Sequence, residues 1–147
     1  MKRQIVEYPY PLDLRWSYIT WFPVMHRRLL NSEFGRMADF EVLGVALRLW
    51  SHSMDHLPPA TLPDDEDILA HLLHISPEQW RELMAREYNP LWGWVRVQCG
   101  KEMRLSHPIM LEGLEAAVKF NKLRQRGTRK RQPFTPPDAG RAPDQKR

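Results

Sequence analysis

The sequence predicts an α+β fold, mainly α-helical with one small β-hairpin, on three observations. Apolar residues recur at three- and four-residue steps in several segments. Two short stretches alternate in polarity on either side of Gly100-Lys101-Glu102. Finally, 13 prolines against 7 glycines break the chain into short elements. With 147 residues, 42% of them apolar, the chain is long enough for one domain with its own core and too short for several.

Taken in order, residues 1–36 read as an aromatic and proline-rich arm. Tyr8, Tyr10, Trp16, Tyr18, Trp21 and Phe22 alternate with Pro9, Pro11 and Pro23, which forbid a long helix and leave an extended path with short helical turns. So many large rings are expected to anchor the arm on the core rather than wait for bases. The domain proper spans 37–118. From Asp39, Phe40, Leu43, Leu47, Trp50 and Met54 form an apolar stripe widened by Val42, Ala46 and Leu49, which predicts a largely buried helix. The prolines of His56–Pro63 end it in a loop.

A second helix starts at Asp64-Asp65-Glu66-Asp67, with carboxylates at the positive end of its dipole and Ile68, Leu69, Leu72 and Leu73 facing inward. Ser76-Pro77-Glu78-Gln79 then makes a capping box, Ile75 and Trp80 a hydrophobic staple, and Trp80, Leu83, Met84 and Tyr88 one face of a third helix. Two short helices joined by a tight turn form a helix-turn-helix pattern. The hairpin of Trp94–Cys99 and Met103–His107 follows it directly, as a wing does. Pro108 opens a last helix through Ile109, Met110, Leu111, Leu114, Ala117, Val118 and Leu123. Its basic end covers 119–132, and Pro133, Pro136, Pro137 and Pro143 mark a disordered tail over 133–147. The expected architecture is therefore a winged-helix-like domain with an aromatic arm and a basic tail.

Several classes are excluded. No apolar run approaches the roughly 18–20 residues of a membrane-spanning helix, and Met1-Lys2-Arg3 leads into a polar stretch rather than a signal-peptide core, so a cytoplasmic protein is expected. The one cysteine, Cys99, can form neither an internal disulfide nor a cysteine-based zinc finger.

Charge is uneven. Residues 1–118 carry 12 Lys/Arg against 16 Asp/Glu, a net of −4, and residues 119–147 carry 10 against 2, a net of +8; together they give the chain's +4. Lys119, Lys122, Arg124, Arg126, Arg129, Lys130 and Arg131 follow one another without an acid, a density that attracts a phosphate backbone by counterion release. Basic tails can also serve only to keep a protein in solution. The third helix, where a winged helix usually reads the major groove, offers Arg81 and Arg86 but also Glu78, Glu82 and Glu87, so binding is expected instead in the hairpin and tail, with Arg96, Lys101 and Arg104 as auxiliary contacts.

Catalysis is not expected. Asp64–Asp67 are the oxygen ligands Mg²⁺ takes, but neighbouring helical residues diverge and a capped helix start explains them. His52 with His56, and His71 with His74, have one-face spacing suited to metal, yet no HExxH pattern accompanies them. Cys99, facing His107 across the hairpin, reads as an inert packing residue, and there is no Gly-rich phosphate loop or Gly-x-Ser-x-Gly elbow. No cofactor is implied.

Trp21-Phe22-Pro23 entering the domain, Glu41 with Gly44 in the first long helix, Trp50 near its end, Leu62-Pro63-Asp64-Asp65 and Arg104-Leu105-Ser106-His107 occur in an order that resembles the YdaU-like family of phage and prophage proteins, over roughly residues 16–118. The basic Met25-His26-Arg27-Arg28 and a hairpin turn without Asp-Gly depart from that pattern. The resemblance implies a winged-helix-like domain in proteins associated with phage DNA replication, often beside helicase-loading genes, and no catalytic motif. Together these readings predict a protein that binds duplex or single-stranded DNA with little sequence preference in replication initiation or its control, with a helicase or its loader as a protein partner and no membrane. The rival is a protein–protein adaptor whose acidic body docks on a replication or host factor. Homodimerisation through the first or last long helix fits both.

Overall fold

Caps and prolines divide the chain into short elements. The computed structural model describes residues 5–14 and 20–130, residues 124–130 by their backbone alone. In chain order the elements are β1 (Val6–Glu7), α1 (His26–Asn31), α2 (Glu33–Met37), α3 (Phe40–Asp55), β2 (Thr61–Pro63), α4 (Glu66–Leu72), α5 (Pro77–Met84), β3 (Val95–Cys99), β4 (Glu102–Ser106) and α6 (Pro108–Lys130). The architecture is mixed α+β, with a four-stranded sheet in the order β1-β3-β4-β2. Trp16 and Tyr18 of the arm, Arg131 and the tail expected over 133–147 lie outside the described residues.

Asp39 starts α3 by accepting from the Val42 amide at 2.9 Å. The helix buries Val42, Ala46, Leu49, Trp50, Ser53 and Met54. Each fully buried leucine of this kind contributes about 1.5–3 kcal/mol. Leu49 joins one core cluster with Leu62, Leu69, Trp80 and Leu105, and Val42, Ala46, Trp50 and Met54 join a second with Leu83, Met110, Leu114 and Ala117, so α3 ties the two together. The buried stripe is narrower than its sequence pattern. Phe40 is 93% exposed and Leu47 48%, because both lie about 100–120° around the helix from the centre of the buried arc.

Past the prolines the chain makes a strand rather than a loop. β2 runs antiparallel to β4, pairing Thr61 with Ser106, Leu62 with Leu105 and Pro63 with Arg104. Pro63, which cannot donate to a ladder, stands at the strand's last position. Asp65 caps α4 by accepting from the Asp67 and Ile68 amides at 2.9 and 3.1 Å. Leu69 and Ala70 are buried, while Ile68, expected to face inward, is exposed one position before them.

The Ser76 capping box forms in full: its hydroxyl accepts from the Gln79 amide at 3.1 Å and the Gln79 side chain accepts from the Ser76 amide at 2.9 Å. Ser76→Ala is expected to cost about 1 kcal/mol, seen as a lower urea midpoint at unchanged slope. Trp80 follows in α5, and its Nε1 donates to Glu66 of α4 at 2.9 Å, fixing the two helices to each other.

β3 and β4 form the expected hairpin, with Cys99 opposite Glu102 across a two-residue turn in which Gly100 takes φ +61°. Val97 and Cys99 are buried, Val95 is exposed at the strand's start, and Trp94 packs against both main clusters. Among the arm's described rings Tyr8 is buried, Tyr10 and Phe22 are half-buried and Trp21 stays exposed. β1 lies parallel to β3, and Tyr8 is buried with its hydroxyl donating to the Pro59 carbonyl at 2.7 Å. The helical turns expected there are α1 and α2.

Candidate nucleic-acid interface

Several cations of the body face carboxylates, while Arg27, Arg36 and Arg48 are exposed with no carboxylate partner among the described residues. Arg96 of β3 donates through Nε to Asp64 at 2.7 Å. Arg104 of β4 is turned into the fold: its side chain is 12% exposed, Nε donates to the Thr61 hydroxyl at 2.8 Å and Nη2 lies 3.2 Å from His56 Nδ1. Little of the side chain expected to contact phosphate is therefore open to solvent. The cause is the register, which sets Arg104 beside β2 rather than on open surface. Burial and the neighbouring Arg104 charge hold the His56 imidazole below its ordinary pKa. In the hairpin this leaves Lys101, exposed in the turn, and Arg96, whose side chain stays 68% exposed beside its bond to Asp64.

The outward surface of α5 is acidic in effect. Arg81 reaches Glu78 at 3.4 Å. Arg86, just past the helix, bridges Asp39 at 3.0 Å and Glu41 at 2.7 Å, and the hydrogen bond to Glu41 holds its pKa up. Glu82 and Glu87 remain exposed. Arg28 of α1 is paired with Glu112 of α6.

The four carboxylates at the start of α4 are largely used within the fold: Asp64 holds Arg96, Asp65 caps the helix and Glu66 accepts from the Trp80 indole. Among the described residues, no group of three or more His, Cys, Asp or Glu is placed to hold a metal ion. Cys99 is buried, which pushes its thiol pKa up and keeps it protonated. His107 lies past the end of β4, not on the facing strand, and is buried between Trp50 and Trp94 with ring centroids at 6.0 and 5.6 Å.

α6 is different. It continues as helix through Lys119, Lys122, Arg124, Arg126, Arg129 and Lys130. Lys119 is paired with Glu115 at 2.8 Å, one turn back, and Lys122 is exposed. Steps of three and four residues from Lys119 through Lys122 and Arg126 to Arg129 and Lys130 fall along one side of a helix. No carboxylate follows Glu115 before Asp138.

Known families, curated proteins and solved structures provide no match for the chain.

The interface therefore rests on its own geometry, which adds a feature missed in the sequence. Where α6 becomes basic, Phe120 meets Trp21 edge to face, with centroids 5.6 Å apart and planes at 84°. Both rings keep about half their surface exposed, at 54% and 45%. Phe120 is visible inside the basic run, but nothing in the sequence brings Trp21 to it. Exposed rings beside cations are what unstacked bases pack on. Among the described residues, no helix is long and apolar enough to cross a membrane.

Proposed function

We propose that this chain is a nucleic-acid-binding protein of winged-helix type that holds the phosphate backbone with the basic end of α6, assisted by Lys101, with little sequence preference. The observation that carries the reading is the contrast in charge. Arg28, Arg86 and Arg96 are answered by carboxylates from other elements, whereas the run from Lys119 to Arg131 has no acid within it. The winged-helix reading is supported by the order α3-β2-α4-α5-β3-β4 and the antiparallel arrangement β3-β4-β2. The acidic surface of α5 argues against sequence reading in the major groove. A role in phage or prophage replication initiation rests on the resemblance of Trp21-Phe22-Pro23, Leu62-Pro63-Asp64-Asp65 and Arg104-Leu105-Ser106-His107 to the YdaU-like pattern.

The test is anisotropy binding of the full chain to labelled duplex and single-stranded DNA across about 50–200 mM salt. Lys122, Arg126 and Arg129 changed together to Glu should weaken binding to both and flatten the log–log salt slope by about 0.9 for each phosphate no longer neutralised, about 3 in all for duplex. Unchanged affinity would overturn the assignment to α6. A second reading is favoured by the exposed acids Asp67, Glu78, Glu82 and Glu87: the α4–α5 surface docks on a basic partner protein, and no DNA binding at low salt would leave that reading standing.

A further inference from the structure

The outward side of α3 has no partner among the described residues. Phe40, Gly44, Leu47 and Ser51, at steps of four, three and four, form one stripe about 16 Å long, and all four are exposed. Phe40 is the most exposed of the chain's large apolar residues described, and Met37 at the end of α2 is exposed just before it. Gly44 stands in the middle of the stripe. A Cβ built there would meet nothing within 4 Å, so neither a turn nor a close approach inside this fold calls for a residue that weakens a helix. A glycine at the centre of an exposed apolar helix face fits a second backbone coming close.

We propose that this face is a self-association surface, on which a second copy of the chain lays its own α3 antiparallel about a two-fold axis near Gly44. The stripe is self-complementary in that arrangement: Phe40 comes level with Leu47 of the partner subunit, to within a residue, and the two Gly44 positions meet at the crossing. Charge selects the direction. Glu41 and Arg48 lie on one flank of the stripe, seven residues apart. An antiparallel copy brings Glu41 beside Arg48 of the partner subunit, twice, whereas in a parallel two-fold pair the flank that carries them faces the partner's opposite flank and neither pairing forms. Arg48 has no carboxylate partner among the described residues. Glu41 accepts from Arg86 through one oxygen, Oε2, and keeps the other for a second donor. The stripe itself carries no cation and the Ser51 hydroxyl already donates to the Leu47 carbonyl at 2.8 Å, so the surface is separate from the α6 interface and does not depend on the nucleic-acid reading. One helix on each side buries less than the roughly 800 Å² per partner of a standard interface, so the dimer should be reversible at micromolar concentrations.

The test is sedimentation equilibrium of the full chain from about 1 to 300 μM, without nucleic acid. The wild type should pass from monomer to dimer across that range. Leu47→Glu should raise the dissociation constant at least tenfold, and Arg48→Glu should raise it less, with Glu41→Arg added to Arg48→Glu restoring it in part. Gly44→Ala separates association from folding, since it should raise the melting temperature of the monomer while weakening the dimer. A chain monomeric at 300 μM overturns the proposal, and so does a dimer that Leu47→Glu and Gly44→Ala leave unchanged.

Discussion

Trp80→Ala is expected to remove about 3–5 kcal/mol of stability, the largest single effect in the molecule. The indole is 2% exposed and is the largest fully buried side chain among the described residues. It fills the space between Leu49 of α3, Leu62 of β2, Leu69 of α4 and Leu105 of β4, so its removal opens a cavity that four separate elements would have to close together. It also leaves Glu66 without the donor that reaches it at 2.9 Å. Against a total of about 5–15 kcal/mol for a domain, that loss brings the chain close to unfolding at room temperature. Urea unfolding followed by far-ultraviolet circular dichroism measures it. Trp80→Phe keeps most of the volume but not the donor and should cost less than half as much. A loss under about 1 kcal/mol for the Ala variant would show that Trp80 does not bridge these elements.

The second large effect is a loss of stability in acid. Burial pushes the His107 pKa from 6.5 down to about 4, against a hydrogen bond with the Trp92 backbone that favours the charged ring and with the help of the Arg28 charge. The folded value lies below the unfolded one. Above about pH 6.5 the ring is neutral in both states and nothing is lost. Between 6.5 and 4 the unfolded chain takes up a proton that the folded chain refuses, and stability falls by up to about 3 kcal/mol; below 4 the loss levels off. Half-buried His56, also held down, adds a contribution of the same sign. His107 Nδ1 accepts from the Ile109 amide at 3.2 Å at the start of α6. His107→Asn offers an acceptor at that point without a titrating ring. The difference between wild-type and Asn unfolding free energies should therefore shrink, or change sign, from pH 7 to pH 4.5. A constant difference would show that His107 is protonated equally in both states.

What can be read from the sequence depends on how far apart the interacting residues lie. The Ser76 box, the Asp39 and Asp65 caps and the turn at Gly100 are made by residues within a few positions of each other, and all are legible. β2 is not. Three residues beside a row of prolines carry no period, and what makes them a strand is β4, some forty residues on. The hairpin cations differ for the same reason: Arg104 is drawn into the fold by Thr61 and His56, 43 and 48 positions away, while Arg96 bonds Asp64, 32 positions away, and stays 68% exposed. Phe40 misleads differently. Period alone does not say where an apolar stripe stops, and the tertiary packing of α3 stops it short of the first residue. Of the candidate site, the basic run is plain from composition, while the Trp21–Phe120 pair needs the folded arm to bring its two rings together.

The arm has a consequence for solubility. β3 carries a row of backbone donors and acceptors along the side away from β4, and β1 covers part of it, pairing Val6 with Val97 and Glu7 with Gln98, with the Tyr8 amide donating to the Gln98 carbonyl at 3.0 Å. The sheet's other edge, β2, is three residues long and finishes on a proline that has no proton to give. Both borders are thus blunted. A strand edge has no closed symmetry to limit it, so a chain stripped of its first residues would offer β3 to the β3 of its neighbours, and that pairing could continue into open-ended aggregates. The short segment before Pro9, with its single anchoring tyrosine, keeps that border of the sheet shut.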